Sequence, residues 1–98
     1  MTSASPPTAL SAAVPPEVAR RLRWRARRGM LENDLLLERF FAVWEGRLSG
    51  EDHDGLARLL ELSDNELLDL LVGNASPMGE LDRPDVRSVL EKIRAQSS

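Results

Sequence analysis

The residues best suited to binding chemistry lie in one short segment, since six of the nine residues over 20–28 are arginine. The segment ends at Gly29. Residues 1–28 carry a net charge of +5 (six arginines, one glutamate), whereas residues 29–98 carry −8 (seven basic, fifteen acidic residues). A guanidinium binds phosphates and carboxylates through paired hydrogen bonds. The charge asymmetry therefore predicts a partner-binding surface where the two parts of the chain meet.

Two residues of opposite charge, Arg28 and Glu32, flank this junction. Gly29 between them is typical of a helix end after a basic last turn, and its missing side chain also lets another backbone approach closely. Arg28 and Glu32 could pair with each other, which stabilises little at an exposed position. They could instead offer a partner a bidentate donor and an acceptor across a low saddle.

The aromatic residue inside the arginine run is Trp24, four residues from both Arg20 and Arg28. We expect Trp24 to pack on the second helix, because large aromatic side chains in small bundles usually lie in the core. The alternative is a cation–π surface for a partner. The run itself could also bind the phosphates of a nucleic acid or nucleotide. The acidic remainder of the chain argues against that reading, because it would repel a polyanion.

The residue inventory argues against an enzyme with its own active site. The chain has no cysteine, no tyrosine and one histidine, His53, in an acidic, loop-like context. Thiolate chemistry and zinc sites of the cysteine type are therefore excluded, and no calcium-loop spacing occurs. We expect no catalytic residue, no metal and no cofactor of the chain's own.

The first sixteen residues differ from the rest in composition. Residues 1–16 hold four of the six prolines, no charged side chain and only two large aliphatic residues. Such a segment buries too little to offset its ordering entropy, so it is predicted to be a disordered tail before a single domain at 17–98. No signal peptide or membrane helix is recognisable, and we expect a soluble, cytoplasmic protein.

Helical periodicity runs through everything after residue 16, which predicts an all-α, compact bundle of about five short helices. Caps are predicted at Ser49 and Ser63, each with an acid three residues later. Asn33 or Asp34 is predicted to cap the second helix and Asp82 the fifth. The predicted helices are 17–28, a second from 33 or 34 to Gly46–Gly50, 50–61, 64–72, and a fifth after 82 with a stripe of Val86, Val89, Leu90 and Ile93.

The junction sequence, from Leu22-x-Trp24 through Arg27-Arg28-Gly29-Met30-Leu31-Glu32-Asn33-Asp34 to Phe40-Phe41, resembles the SdhE (YgfY) family of flavinylation factors. Mitochondrial relatives of that family are succinate dehydrogenase assembly factors. The family hallmark is Arg-Gly-x-x-Glu, matched by Arg28, Gly29 and Glu32. The resemblance covers about residues 20–94, and its second half includes Ser63-Asp64-x-Glu66-Leu67.

The resemblance implies an assembly factor that binds the flavoprotein subunit of succinate dehydrogenase, with fumarate reductase as a further candidate client. Such a factor promotes covalent attachment of FAD to a client histidine, so FAD is the client's cofactor. Two alternatives stay open, an arginine-rich nucleic-acid or nucleotide binder and an antitoxin-like regulator. The expected partner-binding residues are Trp24, Arg27, Arg28, Gly29, Glu32 and Asp34.

Overall fold

The structure, a computed structural model, describes residues 13–97 and is helical almost throughout. Within this range no strand occurs, and the one isolated antiparallel bridge joins Ala13 to Ser49. This confirms the predicted all-α bundle. A short 3-10 helix, Glu45–Arg47, follows the second α-helix, and another, Gly79–Leu81, precedes the fifth. The α-helices are α1 (Pro16–Ala26), α2 (Leu31–Trp44), α3 (Gly50–Leu59), α4 (Asp64–Val72) and α5 (Pro84–Ser97).

The core is built from the predicted apolar stripes. The stripe of α5 is wholly buried and packs mainly against α3 and α2. Phe40 and Phe41 of α2 pack edge to face, with ring centroids 5.4 Å apart. Each helix therefore contributes one buried face, as its periodicity predicts. The buried apolar residues are Ala19, Leu22, Ala26, Leu37, Phe40, Phe41, Leu48, Leu56, Leu59, Leu60, Leu67, Leu70, Leu71, Val86, Val89, Leu90 and Ile93.

Two of the predicted helix caps are confirmed. The Ser49 hydroxyl accepts a hydrogen bond from the Asp52 N–H at 3.0 Å. Ser63 and Glu66 form a complete capping box at the start of α4, and Gly73 ends that helix with φ +87°. The starts of α3 and α4 and the end of α4 are therefore predictable from short-range contacts alone.

Other predicted boundaries are wrong by one to three residues. α2 begins at Leu31, and Met30 occupies its N-cap position without a side-chain hydrogen bond. Neither Asn33 nor Asp34 caps the helix, because both side chains are used in longer-range contacts. Asp82 lies two residues before α5, and its carboxylate pairs with Arg87 instead of capping the start of the helix. In addition, α1 ends at 26 rather than 28, and α3 at 59 rather than 61.

The predicted tail spans residues 1–16, of which residues 1–12 lie outside the described residues. Its last four residues are described and contact the helices. The Val14 N–H donates to the carbonyl of Leu48 at 2.7 Å, and Val14 packs against the core. Pro15 is the N-cap of α1. The described fold thus includes residues that precede position 17, the predicted first residue of the domain.

A close contact between α3 and α5 depends on Gly55, which lies buried inside α3. A Cβ atom placed there would lie 2.3 Å from the carbonyl oxygen of Asp85 and 2.7 Å from its carbonyl carbon. Both atoms are backbone at the start of α5, so they cannot move aside independently. The α3–α5 packing therefore requires the absence of a side chain at this position.

Several ion pairs connect the helices. Arg23 of α1 binds Glu38 of α2 through two nitrogens and Glu45 at 2.6 Å. Hydrogen bonding to Arg23 lowers the pKa of the Glu38 carboxyl below its usual range. Within the core, the fully buried Asp52 pairs with Lys92 at 2.7 Å. Sequence reasoning assigned Asp52 only to helix capping and missed this second contact.

Gly55→Ala tests the close approach of α3 to α5. At an exposed helix interior, glycine to alanine stabilises by roughly 1 kcal/mol. Here we expect the opposite sign, a loss of about 1–3 kcal/mol in the free energy of unfolding, because the added methyl group overpacks the contact. Urea unfolding of the variant measures this. An unchanged or raised stability would show that the two helices do not meet at this distance.

Glu38 makes a pH-dependent contribution to stability. Because its pKa is lowered in the folded state, the contribution is complete above the unfolded value, about 4.3, and is lost as pH falls through the folded pKa. We expect Glu38→Gln to be less stable than the unmodified chain near neutral pH. On acidification, its free energy of unfolding should fall by less than that of the unmodified chain. Urea midpoints across this range measure the difference. Glu80→Gln, at an exposed position without an ion pair among the described residues, is the control and should follow the unmodified curve.

Candidate functional site

The candidate site is the four-residue connection 27–30 between α1 and α2. Arg27 ends α1 in an extended conformation, and its N–H donates to the carbonyl of Trp24 at 3.1 Å. Gly29 has φ +86°, and Met30 is extended again before α2 begins. Only glycine adopts this left-handed conformation without a steric cost. Gly29 therefore turns the chain inside the connection and is not the cap residue of α1.

Asp34 holds this turn from the first turns of α2. Its two carboxylate oxygens accept hydrogen bonds from the N–H groups of Arg28 and Gly29, each at 3.2 Å. The carboxylate thus satisfies two backbone donors that no helix would satisfy. The sequence offered Asp34 as one of two candidate caps of α2, and this structural role was missed.

The side chain of Arg28 crosses to another part of the chain. Its guanidinium donates to the carbonyl oxygens of Leu60 at 2.7 Å and Leu62 at 2.6 Å. Its Nε also lies 3.2 Å from Oδ1 of Asp64, the first residue of α4. Arg28 therefore does not pair with Glu32. The first of the two expectations, that these residues pair with each other, is wrong. Arg28 fastens the junction to the connection between α3 and α4.

Asn33 supplies a second link at the same place. The residue is fully buried, and its Nδ2 donates to the carbonyl of Asp64 at 3.1 Å. Sequence reasoning missed this role, because asparagine beside a helix start is normally read as a cap. One signal was present, since Asn33 is four residues before the buried Leu37 and lies on the same helix face.

The other predicted partner-binding residues, apart from Arg28 and Asp34, are exposed to solvent. Trp24 is 69% exposed, so the expectation that it packs in the core is wrong. The reason is angular, because Leu22 and Ala26 take the buried face of α1 and Trp24 lies about 200° from each around the helix. Arg27, Gly29 and Glu32 are exposed as well, and a Cβ atom on Gly29 would meet no atom within 4 Å.

The arginine run divides into paired and unpaired members. Arg23 is bound to Glu38 and Glu45, and hydrogen bonds to these carboxylates raise its pKa still further. Together with Trp24 it lines a cleft of about 230 Å³. Within residues 13–97, four exposed arginines of α1 and the junction make no ion pair, namely Arg20, Arg21, Arg25 and Arg27.

The arrangement is suited to contact with a macromolecule. Cationic, aromatic and anionic side chains are exposed beside the turn at Gly29, which has no side chain. Among residues 13–97, no group of histidine, aspartate and glutamate side chains is placed to hold a metal ion. No helix in this part of the chain is long and apolar enough to cross a bilayer.

Comparison with known proteins identifies the family. Residues 20–97 match the family model described as "Flavinator of succinate dehydrogenase". The chain is 56% identical to a protein of Ralstonia nicotianae named "FAD assembly factor SdhE", over 76% of this chain and 79% of that protein.

Two further relatives carry the same name. The protein from Coxiella burnetii is 34% identical over 85% of this chain and 96% of its own length. The protein from Pseudomonas aeruginosa is 33% identical over 76% and 89%. No solved structure matches the chain. The chain belongs to the SdhE family, the flavinators of succinate dehydrogenase.

Proposed function

We propose that this protein is an assembly factor that binds the flavoprotein subunit of succinate dehydrogenase and promotes covalent attachment of FAD to a client histidine. The observation that carries the proposal is the family match over residues 20–97, together with 56% identity to a protein named as an FAD assembly factor. Fumarate reductase is proposed as a second client. We also propose that the protein is soluble and acts in the cytoplasm.

The proposed docking surface consists of the four exposed junction residues, Trp24, Arg27, Gly29 and Glu32. Arg28 and Asp34 are assigned to positioning, because their polar groups are engaged within the chain. A surface whose backbone is fixed before binding loses less conformational entropy on contact. Binding energy at this surface is thereby available for selecting one conformation of the client.

The bond-forming chemistry is assigned to the client and its flavin. The side chains of the docking surface are guanidinium, indole and carboxylate, and we assign none of them a covalent role. We propose that docking favours the client conformation in which the histidine and the flavin are aligned, so that the reaction proceeds as an oriented intramolecular step. Unpaired arginines such as Arg27 could in addition stabilise negative charge that develops on the flavin ring.

Polyanion binding is a second candidate function, favoured by the four unpaired arginines. It predicts binding to a generic DNA oligonucleotide that weakens steeply with salt. The flavoprotein reading predicts instead that the chain raises covalent flavin in the client and that the oligonucleotide does not compete. Incubating the apo-flavoprotein with FAD, with and without this chain, and reading flavin fluorescence in a denaturing gel separates the two functions.

Glu32→Ala and Arg28→Ala should separate docking from positioning. Glu32 is exposed and unpaired among the described residues, so we expect its loss to shift the melting temperature by less than about 3 °C while weakening client binding and flavinylation. Arg28 donates to two carbonyls, so its loss should cost about 2 kcal/mol of unfolding free energy. Thermal unfolding and client affinity are measured on both variants. Unfolding by Glu32→Ala would end its docking role.

Substitutions at Gly29 test whether the turn must stay free of bulk. We expect client affinity to fall in the order alanine, asparagine, arginine, because the side chain projects into open space where the partner docks. Gly79 is the matched control, since it also has positive φ, at +61°, and open surroundings outside the junction. Gly29→Arg and Gly79→Arg should lose similar stability, of about 1 kcal/mol. Full client binding by a folded Gly29→Arg variant would contradict docking at this junction.

A further inference from the structure

A second exposed feature lies beside the proposed docking surface, between α2 and α4. It is an open groove of about 350 Å³. Its apolar side chains include Leu35 and Val72, which are 49% and 47% exposed. Exposed large aliphatic residues that share one groove indicate a contact surface, whereas single scattered ones do not. The groove is lined by Glu32, Leu35, Leu36, Arg39, Leu68, Asp69, Val72 and Asn74.

The charge on the rim of the groove selects among possible occupants. Glu32 and Asp69 are exposed, and neither is in an ion pair with any residue from 13 to 97. Arg39 is the single cation of the lining. The rim thus carries one excess negative charge, which is complementary to a basic residue beside an apolar segment.

The same charge argues against a second copy of this chain. In a two-fold contact each copy would bring the same patch, with two carboxylates and one guanidinium. The pair of grooves would then hold an uncompensated excess of negative charge in an interface, which is unfavourable. An apolar segment of another protein that carries lysine or arginine leaves no such excess.

The length of the groove fits a short segment. From Glu32 to Arg39 it follows α2 over eight residues, a rise of about 10 Å at 1.5 Å per residue. Two turns of helix, or a few extended residues, span that distance and place two apolar side chains in the groove. Glu32 belongs to this lining and also to the junction, so one partner can cover both without a gap.

We infer, on the basis of the proposed function, that the α2–α4 groove is the second half of the client-docking surface. It receives an apolar segment of the flavoprotein that carries a basic residue next to Glu32 and Asp69. The junction then contributes polar and cationic contacts, and the groove contributes the apolar contact.

The apolar half is tested with Leu35→Ser and Val72→Ser, measured as affinity for the apo-flavoprotein subunit of succinate dehydrogenase. Each should weaken binding about tenfold, as expected when a buried aliphatic contact is lost. Val43→Ser is the matched control. Val43 is 40% exposed on the same helix, two turns beyond Leu35, and does not line the groove, so affinity should not change. All three sites are exposed enough that the variants should keep their melting temperatures.

The charged half is tested with Asp69→Lys, which should weaken binding at low salt by more than tenfold, with a smaller loss at high salt. Lysine near the end of α4 suits the helix dipole, so folding is not compromised. Glu80→Lys makes the same charge change at an exposed site outside the groove and should bind nearly as the unmodified chain does.

Three results would overturn the inference. Unchanged affinity of Leu35→Ser and Val72→Ser, with Glu32→Ala still impaired, would remove the groove and leave the proposed function standing. A stable dimer in sedimentation that Leu35→Ser converts to a monomer would assign the groove to a second copy. Failure of the unmodified chain to bind the flavoprotein would remove the proposed function and the groove together.

Discussion

The guanidinium of Arg28 holds the α1–α2 connection against the α3–α4 connection, and the candidate site depends on this contact. Its bonds to the carbonyls of Leu60 and Leu62 and its contact with Asp64 join the first helix connection to the third. Those carbonyls follow the end of α3, where no further helical N–H can reach them. A charged donor to such groups contributes more than a neutral one, and leaving them unpaired is costly. The turn at Gly29 and the start of α2 are held in place from this anchor.

The anchor explains how one short motif can serve both folding and binding. Within Arg28-Gly29-Met30-Leu31-Glu32, the first residue points into the molecule and the last points out of it. Asp34 and Asn33 hold the backbone between them from the α2 side. The exposed side chains are thereby presented on a backbone that is already ordered. In the proposed function, this preorganisation reduces the conformational entropy that is lost when the docking surface contacts the client.

Local chemistry made much of the fold predictable from the sequence. The capping box at Ser63, the cap at Ser49 and the stripe of α5 are signals read within one or two helical turns. The partners of Arg28 could not be predicted in this way, because they lie 32 and 34 residues further along the chain. Gly55 and Asp52 were missed for the same reason, since each meets α5 only in the folded structure.

The sequence predicts the candidate site as one segment, and that remains a prediction, whereas the contacts of each residue in it depend on the tertiary structure. The exposure of Trp24 follows from the buried positions of Leu22 and Ala26, an angular argument that outweighs the general tendency of aromatic residues to be buried. The sequence indicated only that Glu32 lies at the junction. Its place in the lining of the groove depends on the position of α4.

Hydrogen exchange on the complex with the apo-flavoprotein tests the location of the docking surface most directly. We expect added protection at residues 24–35 and at 68–72, with exchange in α3 and in the buried face of α5 unchanged apart from global stabilisation. Protection confined to α3 and α5, with the junction exchanging as in the free protein, would contradict that location.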